Sequence, residues 1–162
     1  MTTHSQLAHS LGQELQTRQW KLATAESCTG GWVSQVITEI AGSSTWFDRG
    51  FVTYSNQAKQ EMLNVSEITL QQHGAVSEAT VLAMANGAIQ NSQAQASIAI
   101  SGIAGPSGGT PDKPVGTVWI AWAVKDKVQA QCFHFQGNRQ QVRHHAVTAA
   151  LQNLTQFIIH NS

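Results

Sequence analysis

The chain has 162 residues, nine Lys plus Arg against nine Asp plus Glu, and two cysteines. This length suits one domain, able to bury roughly 70% of the surface its unfolded form exposes, so it needs no disulfide or metal to fold. A formal net charge of zero offers no strong pull toward nucleic acid or an anionic membrane, and solitary Cys28 and Cys132 argue against a disulfide framework or a zinc knuckle.

In chain order, Leu7, Leu11 and Leu15 recur at helical spacing, which predicts an amphipathic helix over about residues 4 to 18. This polar N-terminus is unlike a signal peptide, and no apolar span of about 20 residues follows, so the expected address is the cytoplasm. Lys21 to Ala25 reads as a short strand running into "AESCTGG". Thr29 then stands where a helix cap belongs, with Val33, Val36, Ile37 and Ile40 on one face and Gly42 as the stop. "WFDRGFVTYS" reads as a strand, after which Ser55 caps a short helix through Ala58, Met62 and Leu63. Two more helices follow, "SEITLQQHG" closed by Gly74 and "SEATVLAMANGAIQNS" capped by Ser77.

"ASIAISG" is an uninterrupted small-apolar run, the pattern of a central strand covered on both faces. The next fifteen residues, "GIAGPSGGTPDKPVG", have no periodicity and contain all three prolines, which marks a functional or disordered loop. "TVWIAWAV" and "VQAQCFHF" alternate as an antiparallel hairpin around "KDK", and a long helix spans about Asn138 to His160. The order α-β-α-β-α-α-α-β-β-β-α predicts a single α/β domain over 1–162, a mixed sheet of about five strands with helices on both faces. No internal repeat is visible.

Chemistry concentrates where the first strand meets its helix. Small residues at such a junction expose side chains at the carboxyl edge of the sheet, where open α/β sheets bind ligands, and Ser27 falls there. The first-turn N–H groups near Thr29, Gly30 and Gly31 are able to bind a phosphate or an oxyanion. The same pattern also fits a plain cap with glycines that allow close packing. A serine needs a base, and a lysine serves when desolvation lowers its pKa. Of five lysines, Lys59 follows a strand end one helical turn after Ser55, so it is able to reach across the sheet edge; the competing reading is a surface helix lysine. Cys28 is the rival nucleophile and Ser55 a further one, here read as a cap. Seven histidines are present, yet HExxH and Cys-x-x-Cys are absent, so no metal is expected.

Taken together and in this order, "AESCTGG", "YSNQAK", "GAVS" and "SGIAGPSGGTPDKPVGTVWIAW" resemble the family of the CinA C-terminal domain, the nicotinamide-nucleotide amidohydrolases, from about Leu7 to Ile158. The other domain of longer members has no counterpart, which implies a stand-alone amidohydrolase. The resemblance implies hydrolysis of the carboxamide of nicotinamide mononucleotide to nicotinate mononucleotide and ammonia, without metal or cofactor. It implies Ser27 as nucleophile, Lys59 as general base, and Tyr54 hydrogen-bonding within the dyad or to substrate. Ser101 and Gly102 fall at the ligand-facing strand end, and Arg139 matches a basic position suited to the phosphate. A small-molecule nucleotide and a second copy in a homodimer are the implied partners, with no nucleic acid and no membrane. Gln57, Asn64 and Ser107 depart from common family residues, and Asn64 and Ser107 bear on loop shape and substrate preference. Some relatives keep the fold without clear activity, so a non-catalytic nucleotide-binding module is the alternative.

Overall fold

A computed structural model describes residues 2–161. Its elements run α1 (His4–Arg18), β1 (Leu22–Glu26), α2 (Trp32–Thr38), β2 (Phe47–Val52), α3 (Asn56–Leu63), α4 (Glu67–His73), α5 (Glu78–Gln90), β3 (Ala96–Gly102), β4 (Thr117–Val124), β5 (Lys127–His134) and α6 (Arg139–His160). The five strands form one sheet in the order β2-β1-β3-β4-β5. β2, β1 and β3 are parallel, and β4 and β5 continue antiparallel as the expected hairpin. The mixed α/β architecture is therefore the one the element order predicts.

Side-chain alternation sends the two faces to two helical layers. Leu22, Ile98, Ile100, Val118, Ile120 and Trp122 pack beneath α1, α2 and α6. Ala23, Ala25, Ala99, Ala121 and Ala123 face α5, with α3 and α4 beside it. The first layer is built of large side chains; the second is almost all alanine, which brings α5 close to the sheet. Gly87 of α5 completes that approach, because a Cβ there would overlap the carbonyl of Leu63 at the end of α3. This close packing seats α3, and with it Lys59, against the carboxyl ends of the parallel strands.

Helix starts follow local chemistry in most cases. Thr3 with Gln6 and Asn138 with Gln141 form reciprocal capping boxes on α1 and α6, and Ser55, Ser66 and Ser77 cap α3, α4 and α5. Asn64 closes α3 with φ +60°, a left-handed conformation that asparagine tolerates better than most side chains.

The start of α2 is a correction. Thr29 does not cap it; the helix begins at Trp32 behind Gly31, whose φ of +104° follows +60° at Gly30. Two consecutive left-handed residues insert a turn between Thr29 and the helix. A short 3₁₀ turn over Ser43–Thr45 follows the helix, behind Gly42. In the hairpin the turn tightens to Lys125 and Asp126, and β5 already begins at Lys127.

Candidate active site

β1, β2 and β3 deliver their carboxyl ends to one edge, and the motif residues meet there. Alternation along β1 puts Ala23 and Ala25 on the α5 side, and the next residue in that phase is Ser27. Its backbone N–H still bonds to the Ile100 carbonyl, at 3.0 Å, so the hydroxyl is aimed by an extension of the sheet. β2 ends at Val52, and Thr53–Ser55 turns the chain into α3. Lys59 then points back beneath its own strand end, only 1% exposed.

Lys59 Nζ lies 3.1 Å from Ser27 Oγ, 2.9 Å from the Thr53 carbonyl oxygen and 3.2 Å from that of Tyr54. Burial pushes the Lys59 pKa below the ordinary lysine value, against a smaller opposing influence from Cys28. No acidic side chain forms an ion pair with it among the described residues. A neutral amine has two N–H donors and one lone pair, which matches two carbonyls and one hydroxyl. This is the geometry a general base needs: hydrogen-bond reach of the proton, with the uncharged form favoured.

Cys28 is next in the chain and 6% exposed, but burial pushes its thiol up to about 11, against the opposing influence of Arg143. At neutral pH it stays a thiol, which makes it the weaker nucleophile of the two. The histidines supply no alternative base, since none hydrogen-bonds to Ser27 or Lys59. Among the described residues no group of three or more His, Cys, Asp or Glu is placed to hold a metal, and no helix is long and apolar enough to cross a membrane.

A cavity of about 260 Å³ opens above the dyad, lined by Ser27, Cys28, Tyr54, Lys59, Ala75, Val76, Ser101, Gly102, Ala104 and Arg139. Ala75 and Val76 belong to the "GAVS" segment, which forms the α4–α5 turn. Ser101 and Gly102 stand at the end of β3 as expected. Arg139, the first residue of α6, donates through Nη1 to the Gly105 carbonyl at 2.9 Å and through Nη2 to the Tyr54 hydroxyl at 3.4 Å. A wider, shallower depression shares Ala104 and Arg139 and continues over Pro106, Val115 and the amino end of α6. The loop between β3 and β4 forms its wall, pinned by Lys113 Nζ donating to the His73 carbonyl at 3.0 Å. A cavity of similar size near the carboxyl end of α6, lined by Trp122, Gln129, Phe157 and neighbours, has no such pairing of a hydroxyl with a buried amine.

Three placements depart from the sequence reading. Tyr54 lines the cavity, but its side chain turns to Arg139 rather than to Lys59, and it is the Tyr54 backbone carbonyl that accepts from Lys59, which leaves the expected contact of the phenol with substrate open. Thr29 is fully buried, and neither it nor Gly30 nor Gly31 lines the cavity. The first turn of α2 is already occupied, because the Glu26 carboxylate accepts from Val33 N–H at 2.9 Å, Ser34 N–H at 3.0 Å, Ser34 Oγ at 2.9 Å and Thr29 Oγ1 at 2.7 Å. That carboxylate neutralises the end of the helix from within. Free donors do remain nearby: among the described residues the N–H groups of Cys28 and Thr29 reach no acceptor, while Gly30 N–H bonds to the Ser27 carbonyl at 3.0 Å.

Sequence reasoning overlooked Glu26 and Arg143. Glu26 was detectable from strand phase, since it lies opposite Ser27 and faces α2. Arg143 follows Arg139 by four residues on α6, hence on the same helix face, and donates to the carbonyls of Cys28 and Thr29 at 3.0 and 3.3 Å.

Comparison with known proteins agrees with the arrangement. Residues 4–158 match the family model described as the CinA C-terminal domain. The chain is 53% identical over 160 residues to a protein named nicotinamide-nucleotide amidohydrolase PncC from Escherichia coli (strain K12), covering 97% of this chain and 96% of that one. It is 48% identical over 150 residues to a Pseudomonas putida protein of the same name, covering 93% and 94%. Among solved structures, the competence/damage inducible protein CihA from Agrobacterium tumefaciens superposes with a TM-score of 0.91 at 41% identity over 95% of this chain and 97% of that one. The competence damage-inducible protein A from Klebsiella pneumoniae superposes with a TM-score of 0.96 at 37% identity over 99% and 100%. On sequence, fold and motif order alike, the chain belongs to the family of the CinA C-terminal domain.

Proposed function

We propose that this chain hydrolyses the carboxamide of nicotinamide mononucleotide to nicotinate mononucleotide and ammonia, by way of an acyl-enzyme on Ser27. The observation that carries the reading is a buried lysine amine 3.1 Å from a serine hydroxyl at the mouth of a cavity, in a chain about half identical to proteins named for this amidohydrolysis. Lys59, whose burial favours the neutral amine, takes the Ser27 proton as Oγ bonds to the amide carbon. The tetrahedral oxyanion is held by the free N–H of Cys28, which lines the cavity beside Ser27; in other enzymes a donor of this kind is worth about 3 to 4 kcal/mol. The C–N bond then breaks and protonated Lys59 returns its proton to the departing ammonia. Water, giving its proton to Lys59, attacks the ester and releases the carboxylate and Ser27.

The cavity over the dyad suits the flat pyridine carboxamide, and the adjoining depression suits the ribose and phosphate. Arg139 stands between the two at the amino end of a 22-residue helix, so side-chain charge and helix dipole favour an anion at the same place. Ammonia release from nicotinamide mononucleotide, nicotinamide riboside and NAD, measured side by side, tests the reading. The mononucleotide is expected to give the highest kcat/KM. Tight binding of the mononucleotide without ammonia above background would instead indicate a nucleotide-binding module.

A further inference from the structure

Three successive peptide units follow the Ser27 side chain, and each has its carbonyl held. In a trans peptide the C=O and the next residue's N–H point in opposite directions, so fixing one fixes the other. The Ser27 carbonyl accepts from Gly30 N–H at 3.0 Å, which turns Cys28 N–H the opposite way. The Cys28 carbonyl accepts from Arg143 Nε at 3.0 Å, which turns Thr29 N–H away from α6. The Thr29 carbonyl accepts from Arg143 Nη2 at 3.3 Å and from Trp32 N–H at 3.0 Å. Of the three N–H groups in these peptide units, those of Cys28 and Thr29 have no acceptor, and their directions are the ones this set of bonds determines.

One guanidinium therefore orients two adjacent carbonyls of the nucleophile loop. A lysine amine is also able to reach two adjacent carbonyls, as Lys59 does at Thr53 and Tyr54, but the planar fork does so with its donors in a fixed geometry. The fork is itself held, since Arg143 lies over the Trp32 ring with its central carbon 5.4 Å from the ring centroid. Arg143 does not line the cavity over the dyad, unlike Arg139 one turn earlier. The two arginines of the same helix face thus have separate work, Arg139 toward the ligand and Arg143 toward the loop.

From the two Arg143 bonds to the Cys28 and Thr29 carbonyls, we infer that Arg143 is a positioning residue for the reaction, clamping the loop so that the N–H of Cys28, which lines the cavity, faces the developing oxyanion. The inference rests on the acyl-enzyme reading above. Its kinetic consequence is specific: the clamp acts on the tetrahedral state and not on the bound ground state, so its loss lowers kcat and leaves KM nearly unchanged.

The test compares Arg143→Met and Arg143→Lys with wild type in ammonia release, alongside thermal unfolding of each protein. Arg143→Met is expected to lose about 30- to 100-fold in kcat, the scale on which misplaced catalytic geometry acts, with KM within about threefold. Arg143→Lys, with the charge but not the fork, is expected to recover little. Arg143→Ala supplied with free guanidinium or methylguanidinium is expected to regain kcat, a response that merely weakened packing would not give. A kcat within about threefold of wild type in Arg143→Met, or full activity in Arg143→Lys, would overturn the clamp. Labelling of Ser27 by a fluorophosphonate, followed by intact mass, gives a readout free of the substrate assignment, because its tetrahedral adduct places an oxygen where the oxyanion forms. Slow labelling of Arg143→Met beside rapid labelling of wild type supports the clamp even if no nicotinamide amide is turned over. Equal labelling rates overturn it whatever the substrate.

Discussion

Glu26 and Ser27 are neighbours in the chain and face opposite sides of the sheet, and the contrast between their surroundings explains the division of labour at this edge. On the α2 side the Glu26 carboxylate accepts four hydrogen bonds and is 1% exposed, a fully satisfied group that ties β1, the nucleophile loop and α2 together. On the α3 side the Ser27 hydroxyl meets a buried amine and an open cavity, and the N–H groups beside it lack acceptors. One side spends its polar groups on structure; the other holds them in reserve. Reserved polar groups in a buried setting cost stability, and such sites are where chemistry is performed.

The contrast breaks most sharply at Lys59. Lys59→Met keeps much of the bulk and removes the base, and the proposed mechanism expects a fall in kcat of about 10² to 10⁴ in ammonia release. In that mechanism the active form is the neutral amine, so kcat/KM is expected to rise with pH and to level off below the ordinary lysine value of about 10.4. A profile that falls with rising pH below the ordinary lysine value would count against lysine as the base.

The opposite side is expected to respond in stability first. Glu26→Gln replaces an acceptor oxygen with an amide NH₂ facing the N–H groups of Val33 and Ser34, costing about 2 to 3 kcal/mol. For a chain of this size that corresponds to a Tm lower by about 4 to 12 °C. An unchanged Tm would mean that the four bonds do not hold the loop. Smaller still is the effect at the cavity rim: Arg139→Met is expected to raise KM for the mononucleotide by about tenfold, the scale of one charge-assisted contact, with kcat little altered. The riboside, lacking the phosphate, is expected to show no such rise.

The smallest effect sharpens the claim that the reserved side costs stability. An unfolded lysine holds its proton up to about pH 10.4, whereas folded Lys59 gives it up at lower pH. Between those values the unfolded state binds more protons, so wild-type stability rises with pH across that interval and is lowered by a constant amount below it. Lys59→Met lacks this dependence. The Tm of the variant relative to wild type is therefore expected to be higher at pH 7 than at pH 10.5, by a few degrees. A gap that is constant or reversed would show that the amine is buried charged.

Elements whose signal is local were legible in the sequence. α1, β3 and α6 depend on periodicity and on caps within three residues, and their residues occupy the expected places. The start of α2 was not legible because its cap is Glu26, seven residues before Val33 and across a double left-handed turn. Local rules assign such a start to the nearest hydroxyl, Thr29, whose Oγ1 in fact donates to that same carboxylate. Tyr54 illustrates a second limit, since a motif residue names a side chain while the structure uses its carbonyl. Arg143 illustrates a third: its partners are backbone atoms more than a hundred residues away, and a pattern of residue types has no term for them.

The central claim is that Ser27, activated by neutral Lys59, attacks the amide, while buried Cys28 beside it does not. Ammonia release from nicotinamide mononucleotide by wild type, Ser27→Ala and Cys28→Ala, measured under identical conditions, tests it most directly. Ser27→Ala is expected to fall at least about 10⁴-fold, as loss of a serine nucleophile does elsewhere, and Cys28→Ala to stay within about tenfold of wild type. Full activity in Ser27→Ala, or a loss confined to Cys28→Ala, would contradict the account.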